Sequence, residues 1–167
     1  MRHGLWIALA VVVGLAVVVF AWRYFSRDRL LAPAELADIA LTAEDPQRRG
    51  GAAAQLIRHG EAAREELRRV LAESDNDDVK SACIQALAAI HDYDSMNNIL
   101  DALEDPSPLV RARAGQAVDQ LLGATYGFSY DAPQDVRQRQ IEFLRKEWQS
   151  LKESEGFEHF VERMKRQ

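Results

Sequence analysis

The chain has 167 residues with 21 Lys+Arg against 26 Asp+Glu, a formal charge of −5, which leaves room for one domain and an appendage. Four of the arginines and one acid lie in the first 30 residues. Residues 31–167 therefore carry 17 bases against 25 acids, a balance of −8 that excludes the concentrated basic face nucleic-acid binding needs. Cys83 is the single cysteine, which excludes an intrachain disulfide.

From Leu5 to Trp22 runs LWIALAVVVGLAVVVFAW, uncharged and with a single glycine. As a helix it reaches roughly 27 Å, close to a hydrocarbon core of about 30 Å. Trp6 stands at one end, Trp22 and Tyr24 at the other, as interfacial rings would. The competing reading is a cleaved signal peptide, with Val19-Phe20-Ala21 as its cleavage site. Against it, the run exceeds the usual h-region and bulky Trp22 and Arg23 follow at once. A buried core helix is the third option, but the run has no polar face. Residues 1–24 are read as an uncleaved transmembrane anchor and residues 25–33 as a juxtamembrane linker. Arg2 and His3 precede the span, and Arg23, Arg27 and Arg29 follow it, offset by Asp28. The positive-inside rule then places the C-terminal side in the cytoplasm, with a bacterial inner membrane as the expected location.

Beyond the linker no alternating β-branched run occurs. Apolar residues instead recur at three- and four-residue spacing, which predicts amphipathic helices. Pro33, Pro46, Pro106, Pro108 and Pro133 fall in connections or first turns. The helices repeat: Arg49, Lys80 and Arg111 are 31 residues apart, aligning Ala52 with Cys83 and Ala114, and Leu56 with Leu87 and Val118. A second helix is expected after each of the first two, roughly Glu61–Ala72 and Asp94–Glu104. Their stripes are Leu67, Val70, Leu71 and Met96, Ile99, Leu100, Leu103. Two helices per such period mean a short all-α solenoid.

The segment from Asp105 through Pro106, Pro108, Val110, Arg111 and Ala114 to Val118 resembles the start of a HEAT repeat of the short type. The resemblance covers about Leu36 to Gly123. It implies a ladder in which a turn aspartate pairs with an arginine six residues on, a role that Asp105 and Arg111 fit. The middle unit has Ser74 and Lys80 at those places, and the first has Ala43 and Arg49. Residues 34–123 are thus read as HEAT-like repeats, with Pro33–Leu41 as a half-unit whose Leu36 and Ile39 cover the first pair. Residues 124–167 are read as closing helices. Tyr126, Phe128 and Tyr130 are expected to pack back on the last repeat. Ile141, Leu144, Trp148 and Leu151 form one helical face, and Phe157, Phe160, Val161 and Met164 another. This aromatic stripe reads as core or as a partner-binding groove.

Chemistry is sparse. His3, His59, His91 and His159 show no metal-site spacing, although His59 and His91 fall near the ends of equivalent helices. Asp75-Asn76-Asp77-Asp78 resembles the start of a calcium loop but lacks its glycine and distal glutamate, which leaves helix capping as its role. Cys83 lies on the packing face as a small filler. Glu65 and Glu66 beside Arg64, Arg68 and Arg69 read as ion-paired surface. No nucleophile elbow, P-loop or dinucleotide fingerprint occurs. No catalytic residue, cofactor or metal is therefore expected.

The HEAT resemblance implies a broad surface for other proteins. The second helices would line its concave side, making Glu65, Glu66, Arg69, Asn97, Asn98 and Asp101 the candidate protein-binding face. The leading expectation is a non-enzymatic, membrane-tethered adaptor whose partners are the bilayer, through Leu5–Trp22, and another protein. A structural subunit of a larger membrane complex is the alternative. A HEAT-like chromophore lyase is a further one, for which no polar ligand pocket is identifiable.

Overall fold

The computed structural model describes residues 31–166. The apolar run Leu5–Trp22 and the linker as far as residue 30 lie outside the described residues. Among the described residues no helix is long and apolar enough to cross a membrane, and there is no strand. A compact unit starts at Pro33. Its α-helices are α1 Pro33–Thr42, α2 Pro46–Arg58, α3 Arg64–Glu73, α4 Asp77–Ala89, α5 Met96–Asp101, α6 Pro108–Leu122, α7 Gln134–Glu153 and α8 Phe157–Met164.

Local chemistry sets the helix starts. Pro46 and Pro108 occupy first turns, where a missing N–H costs nothing. The Asp45 carboxylate accepts from the Gln47 and Arg48 amides at 3.1 and 3.3 Å, and Asn76 Oδ1 accepts from Val79 N at 3.0 Å. Such caps satisfy amide groups that the helix itself leaves unpaired.

The second helices are shorter than the periodicity predicts. The expected Glu61–Ala72 helix opens as a 3₁₀ turn, Gly60–Ala63, before α3. The expected Asp94–Glu104 helix is α only over Met96–Asp101, between 3₁₀ turns Tyr93–Ser95 and Ala102–Glu104. At the first of these turns both the amide and the hydroxyl of Ser95 donate to the Asp92 carbonyl, at 3.2 and 2.8 Å.

Helices α2, α4 and α6 pack in series as one layer, while α1, α3 and α5 lie against them. The most extensive contacts join α1 to α2 and α4 to α6, followed by α3 to α4. Helix α1 is accordingly a full member of the first pair. Its Leu36 is wholly buried and its Ile39 half-buried. The aligned positions fill the seam as the 31-residue repeat predicts. Ala52, Cys83 and Ala114 are buried, as are Leu56, Leu87 and Val118, and the stripes of α3 and α5 join them. Burying each large side chain contributes about 1.5–3 kcal/mol, so these stripes dominate stability.

Gly123, at φ 66, stops α6 in the left-handed conformation. The chain then turns back: Phe128 packs on Gly115, where an added Cβ would lie 3.1 Å from its ring. Tyr126 and Phe128 are half-buried as expected, but the Tyr130 side chain is exposed. Its carbonyl, not its ring, makes the attachment. Helix α7 buries Ile141, Leu144 and Trp148 and lies against α5 and the turn after it.

Candidate protein-binding face

The ladder exists in a form different from the expected one. Asp105 and Arg111 do not pair through their side chains. Arg111, 8% exposed, donates from Nη1 to the Asp105 and Pro106 carbonyls, both at 2.8 Å, and from Nε to the Tyr130 carbonyl at 2.9 Å. The Asp105 carboxylate instead accepts from Lys80 Nζ of the preceding repeat at 2.6 Å. Arg49 follows the same rule one repeat earlier: Nε donates to the Ala43 carbonyl at 3.1 Å and Nη1 to Asp75 at 2.9 Å. Each base thus holds the carboxylate of the next turn, while each arginine also binds a carbonyl six residues back. The side chain six residues before a base does not pair with that same base, so Ala43 and Ser74 leave the contacts of Arg49 and Lys80 intact. Past Arg111 no further repeat follows, and the Tyr130 carbonyl takes the place of a carboxylate.

A second inter-repeat link is absent from the sequence-level reading. Arg68 on α3 grips the Asp92 carboxylate with Nε, at 2.7 Å, and with Nη2; Arg64 Nε lies 3.5 Å away. Asp92 is only 2% exposed, and this hydrogen bond raises the already high pKa of Arg68. Arg68 also reaches Asp94 at 3.0 Å and Glu65 at 3.1 Å. The available signal was the repeat itself, which places acids, Glu61 and Asp92, 31 residues apart after the first helices.

The candidate face divides. Glu65 is exposed beside Arg68, Glu66 is half-buried, and Arg69 pairs with Asp38 of α1 and approaches Glu73 at 3.7 Å. On α5 the face is partly occupied. Asn97 Oδ1 accepts from the Trp148 indole at 3.2 Å, and Asp101 pairs with Arg145 at 2.7 Å. Arg145 also lies 3.7 Å from Glu104. Helix α7 therefore binds part of the surface assigned to a partner, because its apolar face needs the same side of α5 for cover. Asn98 remains exposed. With Leu71, Ser74, Lys80, Asp101 and Asp105 it lines an open cleft of 350 Å³ where α3, α4 and α5 meet.

The remaining chemical candidates take structural places. Asp75 belongs to the ladder and Asn76 is a cap. Among the described residues no group of three or more His, Cys, Asp or Glu could hold a metal ion. The Cys83 thiol is fully buried and burial pushes it up to about 12, far from the reactive thiolate range. His59 and His91 are not equivalent. His91, at φ 51, occupies the left-handed position that Gly60, at φ 56, holds one repeat earlier.

A family model described as HEAT repeats matches residues 33–119, a span from α1 almost to the end of α6. No curated protein and no solved structure matches the chain.

Proposed function

The chain belongs to the HEAT-repeat family, and from that premise we propose that it is a membrane-tethered adaptor holding another protein at a bilayer. In this reading Leu5–Trp22 is the anchor, the repeats face the cytoplasm, and no catalytic step is involved. HEAT repeats generally mediate protein–protein contacts, and the observation that carries the reading is the open cleft where α3, α4 and α5 meet. Its rim mixes Asn98, Lys80, Asp101 and Asp105 over the apolar Leu71, offering both polar and apolar groups to a polypeptide. Confinement to a membrane raises the effective concentration of a weakly bound partner.

The test uses the full-length chain, crosslinked in native membranes and recovered in detergent. Ala72→Lys with Asn98→Lys, both on the cleft lining, is expected to lose the captured partner while helicity stays unchanged. A folded double variant that captures the same partner at undiminished yield overturns the reading. Tethering is read independently: the chain is expected to resist carbonate extraction with Met1 or Arg2 at its N-terminus. A mature chain beginning at Trp22 would remove the anchor.

A further inference from the structure

Where the turn Tyr93–Ser95 meets α7 and α8, four aromatic rings cluster. Tyr93 lies 6.3 Å from Trp148 at an interplanar angle of 16°, and Phe157 stands edge-on to both, at 6.1 and 5.6 Å. Phe160 closes on Tyr93 at 5.9 Å. Ordinary aromatic packing accounts for that much. It does not account for the pocket the cluster leaves, 130 Å³ between Tyr93, Asp94, Asn97, Trp148, Lys152 and Phe157. Nor does it explain the Tyr93 hydroxyl, which is buried and makes no hydrogen bond. Tyr93 itself lines the pocket, 8% exposed, with its hydroxyl oxygen buried away from solvent.

We propose that this pocket receives a single arginine side chain of the protein partner, stacked on the Trp148–Tyr93–Phe157 walls with its charge toward Asp94. The proposal rests on the adaptor reading and names the chemistry of the partner. Size comes first: 130 Å³ is well short of the 300–1,000 Å³ or so of a drug-sized site. It is near the roughly 150 Å³ that admits one benzene ring, hence one planar group. Charge comes second. Electron-rich ring faces attract cations, guanidinium above all. Asp94 stands 82% exposed at the rim and shares Arg68 with the buried Asp92 and with Glu65. The region beyond residue 30 carries −8 overall. The cluster already holds one guanidinium on its outer ring, Arg163 at 5.8 Å from the Phe160 centroid. Lys152 is the opposing group. It lines the pocket and makes no ion pair among the described residues, so an incoming cation must displace its charge.

That opposition makes the test one of sign. The full-length chain in detergent micelles is titrated with N-acetyl-arginine methylamide and, separately, with the neutral citrulline analogue. The Trp148 indole N–H resonance, assigned with Trp148→Phe, is followed in each. A saturable shift is expected with the arginine probe, with at least about tenfold weaker binding of citrulline. Asp94→Asn should weaken the arginine probe about fivefold and Lys152→Gln should strengthen it about twofold, by loss of one attraction and one repulsion. Equal binding of the two probes, weaker binding in Lys152→Gln, or no saturable shift overturns the proposal. Partner capture by the crosslinking experiment is scored separately, so failure of the probe with capture intact removes the pocket and leaves the adaptor.

Discussion

Lys80 and Asp105 are joined across the repeat boundary by a 2.6 Å ion pair, and Lys80 offers the Asp105 carboxylate one nitrogen where arginine would offer a fork. Arg49, at the equivalent place, uses its second prong on a carbonyl six residues back. Lys80→Arg should therefore add a bond to the Ser74 carbonyl and raise stability by about 1 kcal/mol, whereas Lys80→Ala should lower it by about 1–3 kcal/mol. Urea midpoints at unchanged slope measure both. An arginine variant with an unmoved midpoint means that the fork does not reach Ser74.

Arg111 and Asp105 test the ladder from the other side. Arg111→Ala strands three carbonyls and should cost about 1–3 kcal/mol. Because the two side chains do not meet, removing both should be additive within about 0.5 kcal/mol. Lys80→Ala with Asp105→Ala, by contrast, should show a coupling of about 1 kcal/mol or more. Strong coupling in the first cycle and none in the second would restore the simple aspartate–arginine pair.

Asp92 is the buried member of the α3–α5 link, and its two arginines have no other buried carboxylate. Asp92→Ala is expected to cost about 3 kcal/mol, the usual penalty for leaving one side of a buried pair uncompensated. Arg68→Ala should cost less, since Arg64 remains 3.5 Å from the carboxylate. Chemical denaturation ranks the two; the reverse order would show that Arg64 does not substitute.

His91 adopts a conformation that costs a side chain about 1–2 kcal/mol relative to the right-handed region. His91→Gly should stabilise the protein by up to about 1 kcal/mol, and Gly60→Ala should destabilise it by a similar amount. The space around Gly60 is open, so the alanine effect isolates backbone strain. Equal melting temperatures for wild type and His91→Gly would mean that the imidazole contacts offset the strain.

Burial pushes the Cys83 thiol from 9.0 to about 12 and the Tyr93 phenol from 10.0 to about 12. Between these values the unfolded chain has released protons that the folded chain keeps. Stability is then full below pH 9 and falls as pH rises toward about 12. Urea midpoints taken upward from pH 9 should decline, and Cys83→Ala should flatten the first part of the decline. A flat profile in wild type would show that these groups titrate alike in both states.

Helical class, the 31-residue period and the buried stripes were legible in the sequence, because burial on one face of a helix forces a spacing that the chain itself records. Ala52, Cys83 and Ala114 show this most directly: the seam between first helices admits only small side chains, and the repeat writes that limit three times. The apolar span Leu5–Trp22 is legible in the same way, as a length matched to a bilayer, and stays a proposal.

Which groups meet across the turns was decided only by tertiary structure. The HEAT resemblance implied a pair of Asp105 with Arg111, yet the packing of neighbouring repeats brings the carboxylate to Lys80 and leaves Arg111 to three carbonyls. Asp92 had no role in the sequence reading, and only the placing of α3 lays Arg68 and Arg64 over it. Asn97 and Asp101 read as free concave residues until α7 settles there. An ion pair between elements depends on how rigid helices are placed in three dimensions, and no local periodicity carries that information.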